Sequence, residues 1–239
     1  MLTPLGSSKK QDTGYSIPEM AVRVRPPSSI IKRLTVLQVK PALAKPMIET
    51  EHYLHSMPAG PLACFGVYLD GECLGAVVFS NGMAQSFRIL DAAKPSDVVT
   101  LARLWLSDRL PKNSESRVLG FTLSYLRQRT PWKAIISYAD PTAGHLGVIY
   151  QATGWLYLGA TQRDGYIRLP DGKLHHPRSV SNLLGSNSIR HLRATGVQAR
   201  REPTLGKHKY LYILDPSWRW RLKVKPLPYP KPIHGESDG

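Results

Sequence analysis

Four groups of side chains could do chemistry in this chain, and each has a plainer reading beside it. Asp140 follows an apolar run at residues 132–139, within the segment ISYADPTAGHLGVIYQATGWLYLG. A carboxylate where a strand leaves its sheet can act as a base, and the ends of parallel strands are where ligand sites gather. The same residue before Pro141 could instead make an Asx turn. Tyr150 stands four residues before Gly154-Trp155, where Gly154 reads as a left-handed helix stop. It is a proton donor in a cleft, or amphipathic core. His52-Tyr53-Leu54-His55 puts two histidines at i, i+3 on one helix face. They could supply a base or, with a third ligand, a metal site; a surface or capping role is the alternative for each. NSESRVLG, residues 113–120, sits at a loop-to-helix junction. Helix starts offer unpaired N–H groups to phosphates, and Ser114, Ser116 and Arg117 would add donors. A cap at Asn113 or Ser114 satisfies the same pattern.

The elements that must position these groups are legible as periodicities. Residues 30–39 read as a first strand, and residues 40–56 as a helix entered through Pro41. ACFGVYL and ECLGAVVFS are two strands joined by Asp70-Gly71, a signal for a tight antiparallel hairpin. A long connection, 81–97, leads to a strand at 98–106. A helix at about 114–129 then presents Leu119, Leu123 and Leu126 on one face. Strand WKAIISYA, a helix at about 143–153 and strand WLYLGAT follow, and KYLYILD is a late strand. In this reading His145 lies on a helix surface and has no role. The order predicts an α/β fold with a mixed sheet, antiparallel in its first half with a central parallel pair, flanked by helices. Residues 1–29 read as a flexible segment, 30–215 as the catalytic domain with a basic insertion at about 172–208, and 216–239 as a basic Trp/Pro-rich tail. The tail's prolines argue against regular structure there.

Charge bounds the partner. Lys and Arg number 32 against 17 Asp and Glu, a net charge of +15 with pI ≈ 10.0. Such a field concentrates polyanions, and nucleic acid is the first expectation. Arg190, Arg193, Arg200, Arg201, Lys207, Lys209, Trp218, Arg219, Trp220, Arg221 and Lys223 interleave cations with aromatics, as backbone contact with base stacking requires. No basic amphipathic helix favours a membrane surface, and no apolar run approaches the ~20 residues that span a bilayer. The N-terminus lacks a signal-peptide core, which predicts a cytoplasmic protein, and Cys64 and Cys73 read as reduced thiols.

Taken together, these elements resemble the GNAT acyltransferase superfamily. Tyr150-Gln151-Ala152-Thr153-Gly154-Trp155 is similar to that superfamily's Tyr-x-x-x-Gly-Phe element, in which the tyrosine protonates the donor's leaving group. The superfamily's Gly-rich donor loop corresponds here to SESRVLG, which keeps one glycine, Gly120. The resemblance implies donor binding by Ser114, Ser116, Arg117 and Gly120. A closer resemblance covers roughly residues 35–170. The runs EHYLHS, RLWLSDRLPKNSESRVLG and ISYADPTAGHLGVIYQATGWLYLG resemble, in order, the Mom family of DNA-modification proteins.

That resemblance implies conversion of adenine's exocyclic amine in DNA to a carbamoylmethyl derivative, which shields phage DNA from host restriction in the host cytoplasm. It implies catalytic roles for His52, Tyr53, Arg103, Ser116 and Asp140, joined by Tyr150 from the superfamily pattern. Asp140 is the first choice of base and His52 the second. Arg103 and the helix start would hold an anionic part of the donor, and Tyr53 would stack on the target base. A bound metal ion, iron, held through His52, Tyr53 and Asp140 is a further option. A carbamoylmethyl group carries CH2 on the adenine nitrogen, so the donor is a coenzyme A thioester reacting at carbon or a glycyl donor such as glycyl-tRNA. Double-stranded DNA is the expected partner, tRNA a further one, and a homodimer is compatible with the chain. The alternatives are a superfamily enzyme acting on a protein or RNA-associated amine, and a non-catalytic nucleic-acid-binding protein.

Overall fold

The computed structural model describes residues 33–82, 85–162 and 165–231; the expected flexible segment at 1–29 lies outside them. A seven-stranded sheet forms the frame. Its strands are β1 (Leu34–Val39), β2 (Pro61–Leu69), β3 (Glu72–Asn81), β4 (Val98–Leu106), β5 (Ala134–Ala139), β6 (Leu156–Ala160) and β10 (His208–Ile213). Their order across the sheet is β1-β2-β3-β4-β5-β10-β6. Every pairing is antiparallel except β4 with β5, so the expected mixed sheet is present. The β2–β3 turn has φ +53° at Asp70 and +88° at Gly71, the double left-handed geometry of a tight hairpin.

Alternation in β2 and β3 sorts side chains to two layers. Phe65, Val67, Val77 and Phe79 face α2 (Ser114–Arg129) and join Val118, Leu119, Leu123 and Leu126 in the main core. Cys64, Ala76 and Val78 face the other way, against Ala44 and Ile48 of α1 (Pro41–Glu51). Ile48 is fully buried, which contributes about 1.5–3 kcal/mol. Both faces being covered explains why β2 and β3 read as unbroken apolar runs. Helix α1 ends at Glu51, short of the expected 56, because His52 turns to extended backbone with ψ 134°.

Two features of the sheet create an opening. The β4–β5 ladder covers only Val98–Thr100 against Ala134–Ile136; beyond it the two strands do not pair with each other, although both continue. The connection after β5 is not one helix over 143–153. A 3-10 turn at Pro141–Ala143 is followed by Gly144 (φ +75°), Gly147 (φ +77°) and a short α3 (Val148–Ala152). At Gly147 a Cβ would stand 2.4 Å from the Tyr210 ring, so both the sign of φ and the space require glycine there.

Strand β10 enters between β5 and β6, pairing antiparallel with both. The insertion between β6 and β10 has a small sheet and core of its own. It comprises β7 (Gly165–Arg168), β8 (Leu174–His175), α4 (Pro177–Leu184), α5 (Ile189–Ala194) and β9 (Arg200–Pro203). Its three strands form a second sheet in the order β8-β7-β9, around Ile167, Leu169, Val180, Leu192 and Ala199.

The Trp/Pro segment is also ordered through residue 231. A 3-10 turn at Pro216–Arg221 follows β10, and the chain then runs back along the sheet edge. The Leu227 N–H donates to the Tyr157 carbonyl at 2.8 Å, and the Tyr229 hydroxyl to the Trp155 carbonyl at 2.7 Å. Proline limits this strap to isolated bridges, one of which, Leu227 with Tyr157, covers the outer strand β6. Cys64 and Cys73 are free thiols. Among the described residues no helix is long and apolar enough to cross a membrane.

Candidate functional site

The opening between β4 and β5 continues into a cavity of about 480 Å³. Its walls are Glu51–Tyr53 at the end of α1, Leu101–Leu106 of β4, Glu115 of α2, Ser137–Asp140 of β5 and the 144–150 segment. His52, Tyr53, Arg103, Asp140 and Tyr150 therefore meet in one place, across a sequence span of about a hundred residues.

Arg103 holds the loop that carries the histidine and tyrosine. Its Nε donates to the Ser56 carbonyl at 2.8 Å and its Nη2 to the Ser56 hydroxyl at 3.2 Å. Burial lowers its pKa, with an opposing contribution from Tyr53, but an arginine so placed stays protonated. His52 is 5% exposed. Burial first, then Arg103, His145 and His55, pull its pKa down to about 4. His52 is thus neutral at pH 7. Its Nδ1 accepts the Leu54 N–H at 3.1 Å, which leaves the proton on Nε2. The free nitrogen is a donor, and the residue expected as second choice of base is set up as a proton donor. His55 does not share its face. Past the end of α1 it turns away with φ +44°, its Nδ1 3.2 Å from the Glu49 carbonyl.

The Tyr53 ring stacks on His52 at 4.6 Å and lies 5.5 Å from the ring of His145. His145 is therefore a wall of the cavity, contrary to its expected place on a helix surface. The glycines on either side of it unwind the helix that would have carried it outward.

Asp140 combines both of its expected readings. Its Oδ1 accepts the Thr142 N–H at 3.0 Å and the Thr142 hydroxyl at 2.5 Å, an Asx turn. Its Oδ2 is 3.2 Å from Lys207 Nζ. Burial pushes the carboxyl up, but the Thr142 hydroxyl, the Lys207 charge and the Thr142 N–H together hold it below the usual range. Lys207 answers in the opposite sense. Burial lowers it, while Tyr166, Asp140 and Tyr53 more than offset that, so it stays charged.

Lys207, expected among the nucleic-acid contacts, is paired with Asp140 at this site. The reason is the register of β10, which pairs His208 with Ala139 and so sets Lys207 opposite Asp140. Thr161 holds both the backbone N–H and the carbonyl of Lys207. Thr161 N–H donates to the Lys207 carbonyl at 2.9 Å, and Lys207 N–H to the Thr161 hydroxyl at 2.9 Å. A Cβ at the preceding Gly206 would come within 2.0 Å of the Thr161 carbonyl, so glycine is required for that approach.

At the inner end, Tyr150 lies between Trp155 and Tyr210, 5.0 Å from each. Ser137 Oγ is 2.9 Å from the Leu101 carbonyl and 2.8 Å from the Tyr150 hydroxyl. The serine's one proton goes to the carbonyl, so Tyr150 donates to Ser137. Burial pushes Tyr150 up to about 12, with the Ser137 bond opposing. It is a neutral proton donor throughout the physiological range. The expected stop at Gly154 is present, with φ +75° and the Trp155 N–H donating to the Tyr150 carbonyl at 3.0 Å.

The expected donor-binding set is placed differently. Ser114, Ser116, Arg117 and Gly120 do not line the cavity; Glu115 does. Ser114 donates to the Pro111 carbonyl at 2.6 Å and Ser116 to that of Asn113 at 3.1 Å, so both hydroxyls are spent on the turn before the helix. Asn113 occupies the cap position with φ +69° but makes no side-chain cap bond. Nothing lies within 4 Å of a Cβ built at Gly120. Among the described residues no three His, Cys, Asp or Glu side chains are grouped to hold an ion. Lys207 already supplies a cation to Asp140, and His52 presents N–H to the cavity; as placed, His52, Tyr53 and Asp140 do not fit a resident ion.

Trp218, Arg219, Trp220 and Arg221 lie at the other end of β10. There Ile213 pairs with Ala134, and Lys133 Nζ donates to Asp215 at 3.0 Å. Arg221 rests 4.7 Å from the Trp218 ring and 4.6 Å from that of Trp220. This cluster does not border the cavity.

A family profile described as the Mom protein family matches residues 33–231. A curated relative, "Methylcarbamoylase mom" of Escherichia phage Mu, is 27% identical over 157 residues. The match spans 64% of this chain and 64% of that relative's length, just under two thirds of it. Similar solved structures are acetyltransferases. The ribosomal-protein-S5-alanine acetyltransferase from Vibrio fischeri overlaps with a TM-score of 0.48 at 11% identity, covering 84% of this chain and 100% of that one. A probable GNAT-family acetyltransferase from Chromobacterium violaceum gives 0.46 at 12%, covering 89% and 98%. Spermidine N-acetyltransferase from Vibrio cholerae, in complex with CoA and spermine, gives 0.44 at 7%, covering 76% and 96%. Overlaps of that depth describe a shared outline of sheet and helices and say nothing of donor or substrate.

Proposed function

The chain belongs to the Mom protein family, and from that membership we propose that it is a DNA-modifying transferase. It converts adenine's exocyclic amine to a carbamoylmethyl derivative and thereby protects phage DNA from host restriction. The observation that carries this reading is the meeting of His52, Tyr53, Arg103, Asp140 and Tyr150 in one cavity, in a chain of net charge +15.

The target amine is a poor nucleophile, because its lone pair is delocalised into the ring. It is also paired inside the duplex, so the base is flipped out at a cost of a few kcal/mol. Tyr53, 46% exposed and stacked on His52, is a platform for that base. Asp140 takes the proton from the amine as the new bond forms; it is ionised and faces the same cavity. Nε2–H of His52, the nitrogen left protonated by the Leu54 contact, donates to the donor's carbonyl as charge develops on it. Tyr150 gives its proton to the leaving group and regains one from solvent as product departs, while Asp140 releases the proton it took from the amine. Arg103 fixes the His52–Tyr53 loop and so acts by positioning.

The donor follows from connectivity. A glycyl amide of adenine and a carbamoylmethyl adenine are isomers. A glycyl donor therefore supplies every atom of the substituent, with an acyl transfer followed by rearrangement. A coenzyme A thioester reacting at carbon is the alternative donor. Incubating purified protein and duplex DNA with isotope-labelled glycyl-tRNA tests this. Label in the modified base is the expected result. Modification that appears only with a thioester donor would replace the glycyl route.

A further inference from the structure

The body formed by β7, β8, α4, α5 and β9 has its own sheet and core, yet it contributes none of the residues lining the catalytic cavity. Residues 165–203 carry seven Lys and Arg against two carboxylates, Asp171 and Glu202. What separates this from an ordinary solvated basic surface is how the guanidiniums are held. Arg193 Nε donates to the Ala199 carbonyl at 3.0 Å. Arg201 donates to the carbonyls of Gly165 and Asn187, each at 3.3 Å, and Arg168 to that of Gly172. A carbonyl partner restrains a guanidinium without cancelling its charge. The one carboxylate among these arginines, Glu202, is shared. It takes Arg168 at 2.6 and 2.8 Å and Arg200 at 2.7 Å, which leaves a surplus of charge. Arg168, Arg193 and Arg200 then border one open concavity of about 630 Å³ floored by the backbone of 196–199.

Position gives this cluster a direction. Thr161, four residues before β7, is bonded through its N–H and hydroxyl to Lys207, which is 3.2 Å from Asp140 of the catalytic cavity, so β7 begins beside that cavity. Alternation puts Tyr166 and Arg168 on one side of β7, with Glu202 and Arg200 opposite them on β9. From Tyr166 to the concavity at Leu169 is three residues, roughly 10 Å. That is about three base rises along a DNA strand at roughly 3.4 Å each.

We infer that this insertion is a phosphate clamp. Arg193 and Arg200, with Arg168, grip the DNA backbone a few nucleotides from the adenine held over Tyr53. The Trp218–Arg221 cluster, at the opposite end of β10, takes no part. The inference rests on DNA being the substrate, and its test uses binding alone, with no donor present. The full chain is titrated with a short duplex across a range of NaCl. R193Q/R200Q is expected to lower the slope of log K against log[salt] by about 2, since each phosphate contact contributes about 0.9. R193K/R200K is expected to restore most of the slope, which separates lost contacts from a damaged fold, and R219Q/R221Q to leave it unchanged. An unchanged slope in R193Q/R200Q, or a loss confined to R219Q/R221Q, overturns the clamp. So does a dependence on these arginines seen with tRNA but not with the duplex. Adenine modification by a wild type whose slope ignores Arg193 and Arg200 would remove the clamp alone. A wild type that neither binds nor modifies duplex DNA would remove both readings.

Discussion

Lys207→Met tests the electrostatics at the base. Methionine keeps the length of the side chain and removes the charge 3.2 Å from Asp140 Oδ2. At that separation the attraction is about 5 kcal/mol at an effective dielectric of about 20, and about 1.3 kcal/mol in bulk water. The lysine side chain is 35% exposed and the aspartate 11%, so solvent reaches the pair and the lower figure is the better guide. About 1.4 kcal/mol corresponds to a tenfold change in the proton affinity of Asp140. The sign follows from the direction of its shift. Lys207 helps hold Asp140 below its ordinary range, so removing it raises the carboxyl's affinity for a proton. The acid limb of the kcat/KM–pH profile for DNA modification should move to higher pH, while the rate on the plateau above it falls less. Lys207→Arg should return the limb toward the wild type. A carboxyl-carbon NMR titration of Asp140 reads the same shift with no turnover. An acid limb that stays in place or moves to lower pH would show that Asp140 is not the titrating base, or that Lys207 does not govern it.

Other outcomes follow from the same geometry. Ser137→Ala removes the acceptor of a fully buried tyrosine hydroxyl, so chemical unfolding should show a loss of about 1–3 kcal/mol and turnover should fall with it. Tyr150→Phe, which leaves Ser137 bonded to the Leu101 carbonyl, should cost less stability and as much turnover. Gly206→Ala should cost about 1–3 kcal/mol through overlap with Thr161, read as a lower unfolding midpoint in urea. His52 is buried and neutral, and its pKa is about 4 when folded against 6.5 when free. Below pH 6.5 the unfolded chain binds the extra proton, so stability should fall by about 3 kcal/mol as pH drops to 4. His52→Gln should flatten that fall in unfolding curves recorded at each pH.

The front of the sheet was legible because its signals are local. Asp70-Gly71 specifies a hairpin through the φ values it tolerates, and the apolar runs of β2 and β3 match strands covered on both faces. Gly154 was legible for the same reason. Asp140 and Tyr150 could be singled out because each closes or opens an element whose end is marked by proline or glycine. Lys207 could not. It reaches Asp140 only because β10, 47 residues beyond β6, enters between β5 and β6, a long-range event with no sequence period. His145 was misplaced because the 144–150 run has helical spacing, while Tyr210 packing on Gly147 holds the chain open. The serines at the start of α2 were ambiguous because a capping pattern and a phosphate-binding pattern use the same residue types, and here the preceding turn takes both hydroxyls.

Mass spectrometry of nucleosides from the DNA of cells expressing the chain addresses the central claim most directly. The account predicts a new deoxyadenosine species heavier by one carbamoylmethyl substituent, present with the wild type and absent with soluble Asp140→Ala. DNA that stays unmodified although soluble wild-type protein and an aminoacyl donor are both present would contradict it, as would a modification that persists without Asp140.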